Sequence, residues 1–361
     1  MRIAIFGTRG IPNRYGGFEQ FAEYLAVGLV ERGHQVVVYN SHTHPYKKNT
    51  YKGVSIHHQY DPENWMGTFG QFVYDLNCIL DTRKNNFDIV LQLGYASSSI
   101  WNPLLKKSTT IVTNMDGLEW KRNKYNRAVQ VFIKVAESLS IKFNQHFVAD
   151  SIGIQSYLQN KYKVKSHYIP YGAHSFKNPN LAVLKKYGVK ESNYDMLVAR
   201  FEPENNIETI LSGFLEANIK RNFLVVGNYG KPYGAFLRKK FYDDRIKFVG
   251  YIPSIEELNS LRWYSNLYFH GHSVGGTNPS LLEAMASNAL ICAHENEFNK
   301  AILKSDAFYF SNAQQVCDLV NSISAEEQHK KLTNNQEKIK SIYNWDNIIN
   351  SYEKLFLDLL D

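Results

Sequence analysis

Apolar and polar positions along the 361-residue chain follow two rhythms. Short runs of branched and aromatic residues predict buried strands, and longer stretches with an apolar residue every third or fourth position predict the helices that cover them. Residues 2–6 give a strand, residues 7–17 a loop, and residues 18–32, with Phe21, Leu25 and Leu29 on one face, a helix that Gly33 ends. Gln35 to Tyr39 is the next strand. It completes a βαβ unit and so predicts a parallel sheet with helices on both faces. Further strands are predicted at 53–57, 88–93 and 110–112, with a helix over 69–80 and another capped by Asp150-Ser151. After Pro170-Tyr171-Gly172, which reads as a linker, the alternation resumes. Strands are predicted at 194–199, 222–226, 246–249, 267–269 and 290–293, and helices at 207–217, 233–241, 254–263 and from 279 onward. An amphipathic helix from Trp345 to Leu360 closes the chain with no strand behind it.

This length exceeds one ordinary core, and a hydrophobic content of 44% can fill two. The predicted fold class is therefore α/β, with two Rossmann-like doubly wound domains over residues 1–172 and 173–344 and a ligand in the cleft between them. The first strand begins at the N-terminus where a signal peptide would lie, and no apolar run reaches the ~18 residues needed to span a bilayer. A soluble, cytoplasmic protein is expected. Cys78, Cys292 and Cys317 are scattered and apolar in context, which predicts buried thiols and neither disulfides nor a zinc site.

The stretch from His270 to Ser287 holds the most specific chemistry. A strand runs into Gly275 and Gly276, and Asn278-Pro279 then opens a helix. Pro at the first helical position and Asn before it make an abrupt start, so amides over Gly276, Thr277, Asn278, Ser280 and Leu281 are expected to form an anion site for a diphosphate. Glu283, about one turn of ~3.6 residues further in, is placed to reach a ribose. Arg200 ends an apolar strand and brings a guanidinium fork that suits phosphate.

Charge is divided unevenly. Residues 1–172 carry 20 Lys and Arg against 12 Asp and Glu, a net of +8, and residues 173–361 carry 21 against 22. A basic half invites an anionic partner, whether phosphate, nucleic acid or an acidic membrane surface. Gly7-Thr8-Arg9-Gly10 is not a dinucleotide fingerprint, Asn40 stands where an acid would bind ribose, and no Walker sequence occurs. Neither Asp-x-Asp nor a third ligand beside His42/His44 or His270/His272 offers a metal site, so none is expected. On the residues alone, a sugar-nucleotide or nucleic-acid binder without catalysis stays open beside an enzyme.

The string Val274-Gly275-Gly276-Thr277-Asn278-Pro279-Ser280-Leu281-Leu282-Glu283-Ala284-Met285 resembles the GT-B glycosyltransferases of family 4. Among them the closest likeness is to bacterial rhamnosyltransferases of polysaccharide assembly. Supporting strings are residues 7–12 with Tyr15-Gly16-Gly17-Phe18-Glu19, residues 115–122, and Arg200 through Asn206. The resemblance implies a GT-B fold whose final helix, 345–361, packs back on the first domain. It also implies a retaining, metal-independent transfer of L-rhamnose from dTDP-L-rhamnose, or of another sugar from its nucleotide, with no cofactor. The implied acceptor is a lipid-diphosphate-linked saccharide, with peripheral contact to the inner membrane surface and no nucleic acid. Donor contacts are then expected from Gly16, Gly17, Arg200, Glu204, Asn205, Gly276, Thr277, Asn278, Ser280, Leu281 and Glu283. Asp116, with Glu119 as second choice, is the candidate for binding or deprotonating the acceptor hydroxyl. Lys121 and Arg122, with Lys124 and Arg127, are candidates for the acceptor diphosphate or anionic lipid, and Trp65, Met66 and Phe69 for the lipid itself. Two departures from the family pattern stand out: Gly275 occupies the place of the first of two Glu seven residues apart, and Asn205 stands near where a Lys is usual.

Overall fold

A computed structural model describes residues 1–14, 16–115, 117–122, 125–323 and 328–361. The chain divides into two compact units: residues 1–121, 125–171 and 345–361 form one, and residues 122–124 and 172–344 the other.

The first unit is built on strands β1 (Arg2–Phe6), β2 (Gln35–Ser41), β3 (Thr50–Tyr51), β4 (Val54–Gln59), β5 (Ile89–Leu93), β6 (Thr110–Asn114), β7 (His146–Ala149) and β8 (His167–Tyr168). They lie in the order β3-β4-β2-β1-β5-β6-β7-β8, and every pairing is parallel except the short hairpin β3–β4. The central strands read as continuous apolar runs because both faces are covered, as a parallel sheet requires. Helices α1 (Gly17–Glu31), α2 (Glu63–Met66), α3 (Gly70–Lys84), α4 (Arg127–Phe143) and α5 (Ile152–Tyr162) belong to this unit. On one side Phe6, Tyr39, Tyr74, Cys78, Ile79 and Val90 share a buried cluster.

The second unit contains α6 (Ala182–Tyr187), β9 (Tyr194–Val198), α7 (Ile207–Glu216), β10 (Asn222–Val226), α8 (Pro232–Lys240), β11 (Ile246–Gly250), α9 (Ile255–Trp263), β12 (Leu267–His270), α10 (Pro279–Ala286), β13 (Ile291–His294), α11 (Glu297–Leu303), β14 (Phe308–Phe310), α12 (Ala313–Ser322) and α13 (His329–Ser341). Its sheet is wholly parallel, in the order β11-β10-β9-β12-β13-β14. Leu197, Phe214, Phe223, Val225, Phe269, Phe310 and Val316 fill its main core. Cys78, Cys292 and Cys317 are buried free thiols.

Several elements lie beyond the sequence pattern for identifiable reasons. Helix α4 carries one apolar arc broad enough to take in exposed Val131 and Val135 as well as buried Ile133 and Ala136. Helix α13 is mostly polar and buries only Asn335 and Ile339 among its side chains. Strand β14 has three residues, too few to show a period.

The last helix, α14 (Trp345–Asp358), belongs to the first unit and packs on α1. Phe21 meets Tyr352 edge-on at 5.3 Å between ring centroids, and Tyr24 meets Trp345 at 4.7 Å. Polar closure comes from Glu353, which pairs with His34 at 2.7 Å and Arg32 at 3.3 Å, and from Asn114, which donates to the Tyr352 hydroxyl. Tyr352 and Phe356 are fully buried. Replacing Phe356 by Ala leaves a ring-sized cavity against the first unit and is expected to cost about 3–5 kcal/mol, read as a lowered denaturation midpoint.

Candidate functional site

The second sheet reverses its winding between β9 and β12, because β10 and β11 continue to one side and β13 and β14 to the other. Loops leaving adjacent strands at such a switch point diverge and open a crevice at the carboxyl ends of the strands. Here they are residues 199–206 and 271–278. The first loop folds on itself: Asn205 donates its side-chain amide to the Arg200 carbonyl at 2.7 Å, and the Pro203–Asn205 turn follows. The second is bound to the first. Ser273 donates both its backbone amide and its hydroxyl to the Glu204 carbonyl, at 3.0 and 2.8 Å, and the Asn206 side chain donates to the Gly271 carbonyl at 2.8 Å. A β-carbon on Gly271 would fall 2.0 Å from the Asn205 carbonyl oxygen, so only glycine permits this approach.

Helix α10 begins as its sequence dictates. Asn278 caps it, accepting from the Ser280 amide at 3.0 Å and the Ser280 hydroxyl at 2.9 Å, with Pro279 in the first position and Leu281, Leu282 and Met285 buried beneath. The expectation of free amides through Leu281 is corrected. Ser280 N–H is held by its own cap, and Leu281 N–H donates to the Asn278 carbonyl at 3.0 Å. The donors left open lie one step earlier: the amides of Gly275 and Gly276 bond to nothing among the described residues. Gly275 sits at φ +132, and a β-carbon there would meet no atom within 4 Å. A shallow, open hollow is lined by residues 272–276, Asn278, Phe298 and Asn299. Thr277 is buried at the base of this loop.

Around the hollow the chain buries polar groups that its own atoms leave poorly matched. Glu204 is 3% exposed, and neither carboxylate oxygen has a hydrogen bond; the Arg122 guanidinium, which clusters with the second unit, stands 3.9 Å from Oε1. His270 and His272 stack at 4.3 Å with 13° between their planes, and His270 Nδ1 and Nε2 and His272 Nδ1 find no partner among the described residues. Burial, then the neighbouring His272, Arg262 and His294, hold His270 well below the usual imidazole range. His272 is lowered to about 3 by burial and by the charges of Arg200 and Arg122. Arg200 is exposed at the mouth of the first loop.

Glu283 faces inward to Arg262 of α9, whose guanidinium is fully buried, with 2.9 Å between Nη2 and Oε2. Arg262 also donates to Asn259 at 2.7 Å and lies 5.7 Å from the centre of the Tyr268 ring. The acid expected to reach ribose is therefore also half of a buried ion pair. Asn205, expected as a donor contact, spends its amide on loop closure.

In the first unit the same reversal lies between β1 and β5. Gly16 precedes α1 and Gly17 begins it, but Glu19 in the first turn already supplies a carboxylate, which accepts from the Arg9 amide at 3.0 Å. The positive end of this helix is thus met by the chain's own acid. Asn40 brackets Ile11, accepting from its amide at 3.0 Å and donating to its carbonyl at 2.8 Å, so it shapes the loop after β1. Glu119 and Lys121 lie in a 3₁₀ turn of this unit, with Lys121 exposed. Asp116, Lys124 and Tyr15 lie outside the described residues. Arg262, the stacked histidines and the burial of Glu204 escape a reading of the sequence. Arg262 sits beside Leu261 and Trp263 on α9, and only tertiary packing brings it to Glu283. Among the described residues no three His, Cys, Asp or Glu side chains converge on a metal position.

Comparison with known proteins places this geometry in context. The family described as "Domain of unknown function (DUF1972)" matches residues 1–174. No match was found among curated protein sequences. Among solved structures, sucrose-phosphate synthase from Thermosynechococcus elongatus is similar at TM-score 0.80 and 14% identity, covering 99% of this chain and 98% of that one. HepE of Anabaena in complex with UDP-glucose is similar at TM-score 0.74 and 14% identity, covering 98% of each chain. WaaG, a glycosyltransferase involved in lipopolysaccharide biosynthesis, is similar at TM-score 0.71 and 12% identity, covering 99% of each. The chain has the two Rossmann-like α/β domains of these GT-B glycosyltransferases.

Two measurements check the buried charges. An unfolded imidazole takes a proton near pH 6.5, whereas His270 and His272 in the fold do so only at lower pH, so stability is full above about 6.5 and falls as pH drops toward about 3. Denaturation midpoints taken from about pH 7 down to about pH 4 should decline, and less steeply in His272→Asn. Glu283→Ala strands the Arg262 charge and is expected to destabilise the chain by about 3–5 kcal/mol, more than a loss of ligand contact alone would.

Proposed function

We propose that the chain is a glycosyltransferase whose second domain holds a nucleoside diphosphate sugar at the β9/β12 switch point. The observation that carries this is the loop at 273–278, whose Gly275 and Gly276 amides have no partner among the described residues and line a hollow with His272, a residue within reach of the charge of the exposed Arg200. Sugar transfer from a nucleotide develops negative charge on the departing diphosphate. Fixed donors aimed at that charge are worth ~3 kcal/mol each when they need not reorganise. In this reading Arg200 and the two glycine amides supply them, and no divalent ion is needed. HepE, which shares the fold, has been captured with UDP and with UDP-glucose.

The donor we favour is dTDP-L-rhamnose and the acceptor a lipid-diphosphate-linked saccharide. Support comes from the resemblance of residues 274–285 and 115–122 to rhamnosyltransferases, and from Gly275, which leaves open space where the wider family carries a Glu. The buried carboxylate of Glu204 and the ring of His272 border the same loop and are the groups on hand to meet sugar hydroxyls. Asp116 is assigned to the acceptor hydroxyl on its sequence position, with Glu119 second. Transfer is proposed to retain configuration at the anomeric carbon.

The test is incubation with a panel of sugar nucleotides and a short lipid-diphosphate saccharide, with products weighed by mass spectrometry. A deoxyhexose gained only from the thymidine-linked donor, undiminished by a chelator, is the expected result. A hexose gained instead would refute the donor, and no transfer from any donor would refute the enzyme. Arg200→Ala should lower transfer by about 10²–10³-fold with the unfolding midpoint unchanged, as loss of one donor to a developing anion does.

A further inference from the structure

We propose that Phe298 and Asn299, consecutive residues of α11, read the sugar of the donor. Asn299 accepts a hydrogen from one sugar hydroxyl, and Phe298 with Val274 takes the methyl side of a neutral 6-deoxyhexose. The inference rests on the donor site proposed above and deepens it. Both residues line the hollow that the Gly275 and Gly276 amides border. Asn299 is 4% exposed, and the orientation of its side-chain amide is fixed: the nitrogen donates to the His272 carbonyl at 3.1 Å and to the His294 carbonyl at 2.8 Å, where only an N–H can serve. Its Oδ1 is left over and accepts from no donor among the described residues. Asn278 presents the converse, because Ser280 occupies its Oδ1 and its Nδ2 donates to no described acceptor.

These unspent atoms decide what the hollow holds. A diphosphate offers acceptors, which suit the two glycine amides and Arg200, but against Asn299 Oδ1 it would set oxygen on oxygen. A hydroxyl both donates and accepts, so a sugar ring beside the diphosphate answers Asn299 and Asn278 together. Among the described residues no Asp, Glu, Lys or Arg lines the hollow, which favours a neutral sugar over an acidic or amino one. Val274 and Phe298 are its apolar lining. A hydroxyl laid against them gives up water without gaining a partner, whereas a methyl group loses nothing. Phe298 is 9% exposed, so packing fixes it before a ligand arrives and little ordering is needed on binding.

Calorimetric titration of the full chain with dTDP and with dTDP-L-rhamnose isolates the sugar's share of binding, without turnover, as the ratio of the two dissociation constants. Phe298→Gln should lower that ratio about tenfold, and Phe298→Leu, which keeps the wall apolar, only about twofold. Affinity for dTDP alone should stay within about twofold of the parent chain in both, because the phosphate donors are untouched. Val274→Thr, at a partly exposed loop position, probes the same wall without disturbing α11 and should lower the ratio about threefold. A ratio unchanged in all three variants, or an equal loss of affinity for both nucleotides, would overturn the inference and leave the donor site standing. So would a parent chain that binds dTDP as tightly as its rhamnose ester. Binding of neither nucleotide by the parent chain would refute the donor site itself, and this inference with it.

Discussion

The candidate site depends on how closely the loop after β12 lies against the loop after β9. Two backbones can touch there because Gly271 has no side chain to strike the Asn205 carbonyl, and Ser273 then fastens the pair by donating twice to Glu204. Once those contacts are made, the chain has to bulge before α10 can start, and Gly275 at φ +132 carries the bulge. The open amides of Gly275 and Gly276 are what remains after Asn278 has closed the helix. The anion site is thus a property of the loop more than of the helix dipole behind it.

The residues surrounding the loop are held at a cost in stability. Glu204 is buried without a hydrogen bond, two stacked imidazoles are kept neutral, and the Arg262 guanidinium is sealed against Glu283. Such groups persist when a well-packed sheet can carry them, and the second sheet is apolar from Leu197 through Phe223 and Phe269 to Phe310. A ligand that offers hydroxyls and phosphate oxygens would supply the partners that the chain withholds.

Much of the architecture was legible in the sequence, because parallel sheets covered on both faces impose long-lived patterns. The βαβ start over residues 2–39, the renewal of alternation after Gly172 and the Asn278-Pro279 helix start all follow from local rules. What was not legible depends on contacts between distant residues. Helix α4 has an apolar arc wider than its buried side, and only tertiary packing decides that Ile133 and Ala136 are covered while Val131 and Val135 are not. Asn205 looks like a ligand contact by position, but its amide is spent on the Arg200 carbonyl. Glu283 looks free by helical spacing, yet Arg262, 21 residues earlier, lies against it.

The most direct measurement is a crystal structure of the chain with a thymidine diphosphate. Its phosphate oxygens should lie within hydrogen-bonding distance of the Gly275 and Gly276 amides and the Arg200 guanidinium, with no metal ion between them. Phosphates lodged elsewhere in the molecule, or bridged at this loop by a divalent cation, would contradict the assignment of the site.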